Sequence, residues 1–293
     1  MPGSATSPGK ISVLACQIAV PDVENAAARD AHLERIADRI DGLLATRHAD
    51  LVVLPELSAI SYSRAAFDRL DELAEGPEGP SAERFGALAR KHRAWFAFGV
   101  PRVDDGRFFI SHMTVNPDGG YAGCYDKIHT AQFGASMEKD YFARGGRLLV
   151  LDVDGVRVAP IICYDFRFPD LTATLRRRHD IGLLIHPVAF YRDRTFPSWH
   201  HIAVARAVEN QSYYLSLNRA GEEYGSSLWC PPWVDDELRP ETFGTAEEFR
   251  YFSVDPEIIR RVRSEFTYDA DRLSDYAGLA STLATGAGPA DQE

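Results

Sequence analysis

The chain has 293 residues, 45% hydrophobic, 11% aromatic and 26% charged, proportions that exclude wholesale disorder, collagen and coiled coil. Its 32 lysines and arginines stand against 43 acids, a formal charge of −11 that repels phosphate backbones and anionic lipids, so neither nucleic acid nor a membrane is an expected partner. Four scattered cysteines, Cys16, Cys124, Cys163 and Cys230, form no CxxC pair, which argues against a disulfide framework or zinc ribbon and for a reducing, cytoplasmic setting. No stretch reaches the roughly 20 apolar residues of a bilayer span. Residues 1–10 read as a flexible polar leader, 11–278 as one domain and 279–293 as a flexible tail.

Within that domain, short apolar runs alternate with segments of helical period. Ile11 to Val20 and Asp50 to Leu57 read as strands. Between them Leu33, Ile36, Ile40, Leu43 and Leu44 form one apolar stripe on a charged helix, giving a strand–helix–strand unit. Pro80 and Ser81 signal a second helix start, and Trp95 to Val100 a further strand. Phe108 to Val115 and Gly120 to Lys127 flank the turn residues Asn116 to Gly119, as a hairpin would. Leu148 to Val153 and Val156 to Cys163 flank Asp154-Gly155, a strong hairpin signal. Ile181 to Ile185 and Ser212 to Leu217 are strand candidates, with a helix over Trp199 to Asn210 between them. Asp255 to Glu265 closes the series as a helix with Ile258, Ile259 and Val262 on one face. Crossover units and hairpins in one chain fit a mixed sheet, or two sheets with helices outside, better than a barrel of strict βα repeats.

Common templates are absent: there is no G-x-G-x-x-G, Walker loop, H-E-x-x-H or G-x-S-x-G. Ser136 to Lys139 satisfies Ser-x-x-Lys, but Ser274-Asp275 is followed by Tyr276 and Lys-Thr-Gly occurs nowhere, so the penicillin-binding companions are missing. Three residues end apolar runs: Glu56, Lys127 and Cys163. Strand ends are where open α/β architectures hold ligands. Taken singly, each has an ordinary structural explanation. Together they are chemically complete. A thiolate is the attacking species, a lysine ammonium stabilises it and the oxyanion, and a glutamate can carry the proton to a departing amine. The backbone N–H of Tyr164 is a natural second oxyanion donor, and Pro169-Asp170 opens a helix just beyond. This set points to acyl transfer by a cysteine without a catalytic histidine.

With these residues in order, the chain resembles the nitrilase, or carbon–nitrogen hydrolase, superfamily from about Ile11 to Tyr276. VLACQIAV looks like the family's first strand, and ADLVVLPEL carries its glutamate at Glu56. YDKIHT is similar to the lysine motif at Lys127, with His129 two residues on. MEKDYFARGG resembles the segment holding a second glutamate, Glu138, that positions the lysine. IICYDFRFPDL resembles the nucleophile motif around Cys163, and HHIAVARAVENQSYYLSLNRAG, with Arg206, Glu209 and Asn210, the structural motif downstream. The resemblance implies a four-layer α-β-β-α sandwich, pairing into a homodimer or higher homo-oligomer. It also implies hydrolysis of a small linear amide to a carboxylic acid and ammonia through a thioester.

The Cys-Tyr-Asp-x-Arg-Phe-Pro form resembles the ω-amidase and Nit-like branch, whose substrates are small carboxylate-bearing amides. Arg167 is then a candidate carboxylate binder, the alternative being that it pairs with Asp165 or Glu209. Tyr62, Phe133, Phe190, Tyr191 and Trp199 are candidates for an aromatic pocket, and equally for core. His200 and His201 are adjacent and diverge on a helix, so no metal is expected, and no cofactor. Two features depart from the family pattern: Ser61-Tyr62 stands where Gly-Tyr is common, and Leu228 to Pro240 carries two tryptophans, a double proline and an acidic stretch. Other substrates for the same chemistry are N-carbamoyl compounds and nitriles, although Tyr164-Asp165 departs from the Trp-Glu of the nitrile branch. A non-catalytic binding or regulatory protein on this fold is the reading of another class.

Overall fold

The computed structural model describes residues 9–134, 136–273 and 275–281. Most of the expected leader and tail, residues 1–8 and 282–293, lies outside them. The strands fall into two six-stranded sheets. In the first, β1 (Ile11–Gln17), β2 (Leu51–Val53) and β3 (Trp95–Asp104) run parallel. The hairpin partners β4 (Arg107–Val115) and β5 (Tyr121–Asp126) extend one edge. The second sheet begins with the hairpin β6 (Leu151–Val153) and β7 (Val156–Pro160), and continues with β8 (Leu183–Pro187) and β9 (Tyr213–Leu217) parallel to β7. The antiparallel β10 (Leu228–Cys230) and β11 (Glu241–Thr242) complete it. A last strand, β12 (Glu248–Val254), returns to pair antiparallel with β1.

Alternation along each strand assigns its two faces. Val13, Ala15, Leu51, Val53 and Ala97 point inward and meet Val158, Leu183, Ile185 and Leu215 of the other sheet. The residues between them, Leu14, Cys16, Val52, Leu54, Phe96 and Phe98, point outward against helices α1 (Ala26–Thr46) and α2 (Pro80–His92). The apolar stripe of α1 docks there: Leu33, Ile36, Ile40 and Leu44 are buried, each contributing about 2 kcal/mol of transfer free energy, while Leu43 sits at the edge. On the second sheet, Ala159, Ile161, Leu184 and Tyr214 face α3 (Pro169–His179) and α4 (Trp199–Asn210), through Leu175, Ala203 and Ala207. The architecture is therefore a four-layer α-β-β-α sandwich.

Local chemistry sets the boundaries. Asn25 caps α1 by accepting from the Ala28 N–H, and Asp255 caps α5 (Pro256–Glu265) by accepting from the Glu257 N–H. Asp154 and Gly155 take φ of 47° and 83°, as a two-residue hairpin turn requires. Asp105 and Gly106 make the same kind of turn between β3 and β4, with φ of 48° and 68°, so β3 runs past Val100 through Pro101 to Asp104. The stretch expected as one strand from Asp50 to Leu57 is shorter, because Pro55 has no N–H to donate and Leu57 turns away at φ 46°. β10, β11 and β12 were not anticipated from the sequence. Among the described residues, no helix is long and apolar enough to cross a membrane.

Candidate active site

Three strand ends converge. β2 and β7 are parallel-type strands, and β5 runs in the same sense as β3, so the segments after all three emerge at one end of the sandwich. After β2, the Leu54 N–H still donates to the Ala97 carbonyl at 2.9 Å, which holds the chain beside β3 as far as Glu56. Gly99 on β3 makes that approach possible. A Cβ there would lie 2.3 Å from the Pro55 carbonyl oxygen and 2.4 Å from the Leu57 nitrogen. Buried Arg219 grips the turn by donating from Nη2 to the carbonyls of Glu56 (3.2 Å), Leu57 (2.7 Å) and Ile60 (2.9 Å).

Lys127 directly follows β5. Its N–H donates to the Ile110 carbonyl and its own carbonyl accepts from the Gly145 N–H, both at 2.8 Å. Gly145 is the first of the two glycines that end the MEKDYFARGG segment, and a Cβ there would fall 2.1 Å from the Asp126 carbonyl oxygen. Cys163 opens a short 3-10 turn between β7 and α3, at φ 42°, in the left-handed region that non-glycine residues seldom occupy. Asp165 secures that turn. Its carboxylate accepts from the Ile162 N–H (3.1 Å) and Tyr125 O–H (2.8 Å), and from His129 N–H and Nδ1 at 2.9 and 2.7 Å. The lysine and cysteine segments are thus tied to one another.

The resulting cluster is buried. Lys127 Nζ donates to Glu56 Oε1 at 2.8 Å and to Glu138 Oε1 at 2.7 Å. Glu56 Oε2 accepts from the Ala189 N–H at 2.8 Å. Glu138 accepts further from the Tyr62 O–H (2.8 Å) and the Ala131 N–H (2.7 Å). Burial alone would pull the lysine down, but the carboxylates of Glu138 and Glu56 outweigh it and leave its pKa well above the ordinary value. Burial raises the Glu138 carboxyl, with Lys127 opposing. The Cys163 thiol is pushed well up, first by burial and then by the charge of Glu56, with Lys127 acting against them. Burial and the Glu56 charge thus both favour a neutral thiol at rest.

A cavity of about 200 Å³ opens onto Cys163. Tyr62, Phe133, Phe190 and Tyr191 line it, as does Arg167; Ser136, Met137, Asp193 and Thr195 are further wall residues. Trp199, expected in the pocket, does not line it. Its ring stacks behind Phe190 with centroids 5.1 Å apart and planes 7° off parallel, fully buried against the second sheet. Leu228 to Pro240 contributes nothing to this cavity, and Trp233 instead stacks on Phe266. Arg167 pairs with neither Asp165, which is committed as above, nor Glu209, which holds Arg206 at 2.9 Å. Its Nη2 is buried without a partner among the described residues, and its guanidinium lies 5.1 Å from the Phe166 ring centroid. Arg206 braces the same turn by donating to the Phe166 carbonyl at 2.8 Å. None of the described residues accepts from the Tyr164 N–H.

One relay was not anticipated from the sequence. Trp199 Nε1, a donor only, lies 2.8 Å from Ser216 Oγ, which lies 2.8 Å from His186 Nδ1; His186 Nε2 lies 2.8 Å from the Cys163 carbonyl oxygen. Because indole can only donate and a carbonyl only accept, Ser216 gives its proton to Nδ1 and His186 carries its own on Nε2. Burial lowers the His186 pKa to about 3, which keeps the ring neutral. His200 and His201 donate to separate backbone carbonyls, from Nε2 to that of Ser226 and from Nδ1 to that of Pro197. Among the described residues, no group of three histidine, cysteine or acidic side chains could hold a metal.

Comparison with known proteins bears on the same segments. A family model described as carbon–nitrogen hydrolase matches residues 11–243. The deaminated glutathione amidase of Dictyostelium discoideum is 30% identical over 173 residues, covering 53% of this chain and 59% of that protein. Omega-amidase NIT3 of Saccharomyces cerevisiae is 28% identical over 261 residues, 84% of this chain and 88% of that one. The crystal structure of Saccharomyces cerevisiae Nit3, described as a member of branch 10 of the nitrilase superfamily, matches with a TM-score of 0.77 at 26% identity, over 92% of this chain and 97% of that one.

Proposed function

Since the chain belongs to the carbon–nitrogen hydrolase family, in the Nit-like branch of the nitrilase superfamily, we propose that it hydrolyses a small linear amide through a thioester on Cys163. The observation that carries this reading is the Lys127 ammonium held between Glu56 and Glu138 beside the thiol. Glu56 takes the thiol proton as sulfur bonds to the amide carbon. The carbonyl π electrons move to oxygen, and the oxyanion is held by Lys127 Nζ and the Tyr164 N–H. Collapse breaks the C–N bond, and the proton on Glu56 leaves with the nitrogen as ammonia. Water then gives a proton to Glu56 and attacks the thioester. The C–S bond breaks, the thiol regains its proton, and the sum is amide plus water to carboxylic acid plus ammonia.

The raised thiol pKa suits this order of events. A sulfur that is neutral at rest needs a base at the moment of attack, and Glu56, whose charge bears on the thiol, serves as that base. Glu138 acts through Lys127 by fixing the ammonium, and Tyr62 fixes Glu138. Arg167, in the cavity wall with a buried nitrogen that no described residue partners, supports a substrate that carries a carboxylate, as an ω-amidase-like reading expects. The test is intact mass after rapid quench, with ammonia release from ω-amides, N-carbamoyl amino acids and nitriles. An acyl adduct on the wild type that is absent from Cys163→Ala, with ω-amides turned over fastest, is the expected result. An adduct equally present on Cys163→Ala overturns the mechanism, and faster turnover of carbamoyl compounds or nitriles reassigns the substrate.

A further inference from the structure

The cavity on Cys163 holds a second charge that the reaction does not use. Asp193 lies on the segment that leaves β8. That segment is pinned to the candidate site: the Ala189 N–H donates to Glu56, the Phe190 N–H donates to Asn218 Oδ1, and Asn218 Nδ2 donates back to the Phe190 carbonyl. Asp193 Oδ1 accepts from the Thr195 N–H and O–H, both at 2.7 Å, which fixes the carboxylate. Its Oδ2 accepts from none of the described residues. It lies beside Gly134, where a Cβ would stand 3.0 Å away, and Asp193 shares the cavity lining with Phe133, Ser136 and Met137. The adjacent Arg192 is engaged elsewhere, donating to the Tyr224 carbonyl and to Ser226 Oγ.

Arg167 and Asp193 therefore line one small cavity with opposite charges, and they make no ion pair with each other or with any other described side chain. A ligand bearing only a carboxylate would satisfy Arg167 and leave Asp193 facing it unpaired, and a like charge nearby is unfavourable. A ligand bearing a carboxylate and an ammonium at its far end satisfies both, with charge-assisted hydrogen bonds at each. Resting on the amidase reading above, we propose that the substrate is a zwitterion, an amino acid whose side chain ends in the amide. Its carboxylate would sit on Arg167, its ammonium on Asp193 and its amide carbon at Cys163.

Matched substrates test this. Glutarate monoamide and L-glutamine differ only in the amino group, as do succinate monoamide and L-asparagine. The proposal expects kcat/KM for the amino-bearing member of a pair to be higher by about tenfold, the worth of one charged hydrogen bond, and Asp193→Asn to erase that ratio. Binding of the same pairs to Cys163→Ala protein, by calorimetry, is expected to show the same preference without turnover. A wild-type ratio of one or less, or a ratio that Asp193→Asn does not change, overturns the proposal. Should neither member release ammonia, the reaction reading fails, and the calorimetric preference still decides the ligand: equal binding overturns the zwitterion.

Discussion

His186 Nε2 donates to the Cys163 carbonyl oxygen across 2.8 Å, and that bond holds a residue whose φ of 42° the backbone would not otherwise favour. The neutral ring is oriented from behind by Ser216 and Trp199. Removing the donor frees the strained turn to relax and moves the sulfur and the Tyr164 N–H together. His186→Ala is expected to lower kcat by about tenfold to a hundredfold with little change in KM, as loss of one or two charge-neutral hydrogen bonds would. His186→Gln, which can place an amide N–H near the same carbonyl, is expected to recover part of it. Trp199→Phe keeps the stack on Phe190 but not the indole donor, so a smaller loss in the same parameter is expected.

Lys127 and the two glutamates are a buried charged unit. Lys127→Met leaves two carboxylates facing each other out of water, and such an uncompensated pair typically costs about 3–5 kcal/mol of stability. Urea denaturation of Lys127→Met, Glu138→Gln and the double variant measures the coupling. The double variant is expected to be more stable than Lys127→Met alone, because it removes one of the stranded charges. All three are expected to lose ammonia release. Additive destabilisation in the double variant would contradict the geometry.

The candidate site was legible because Glu56, Lys127 and Cys163 each stand where an apolar run ends, and the Asp154-Gly155 turn and the α1 stripe were legible from residue type and period. The pairing of layers was not. Val13, Leu14, Ala15 and Cys16 are all buried, alternately against the other sheet and against α1 or α2, so period gives no preferred face. Trp199 shows the same limit. Its spacing with Ala203 and Ala207 puts all three on one stripe of α4, the side facing the sheet, and that stripe was the available signal. His186 reads only as a polar break in LLIHP, and the contact of Arg219 with the Glu56 turn spans 163 residues. β12 was hidden because Glu248 and Arg250, ion-paired on the same face as Phe252 and Val254, break the apolar set of that face.

Arg167 is expected to separate substrates by charge. Its buried Nη2 has no partner among the described residues, and the side chain is held over Phe166. Desolvation of that nitrogen has been met by folding, so a carboxylate gains most of the bond on arrival. For Arg167→Met, the ratio of kcat/KM between glutarate monoamide and an uncharged amide of the same length is expected to fall by about 10–100-fold, chiefly through KM. An unchanged ratio would return Arg167 to a structural role. Arg167→Lys is expected to recover little, since a point charge cannot reproduce the planar fork.

Acid sensitivity follows from three histidines buried neutral. Burial lowers His32 and His112 to about 4 and His186 to about 3, and each donates from Nε2 to a backbone carbonyl. The unfolded chain binds these protons near pH 6.5, whereas the folded chain binds them only near 3 to 4. Their contribution to stability is full above about pH 6.5 and is lost as pH falls from there toward 4, at about 1.4 kcal/mol per pH unit for each. Buried carboxyls that are raised, Glu75 and Glu138, work in the opposite sense above their ordinary range, so the histidine part is isolated by difference. Urea unfolding at pH 7.0, 6.0 and 5.5 is expected to show falling stability in the wild type. His112→Gln, which retains a donor toward the Leu54 carbonyl but does not titrate, is expected to show a slope shallower by about 1.4 kcal/mol per pH unit at the acid end. Equal slopes in the two proteins would mean that His112 takes up its proton in the folded state.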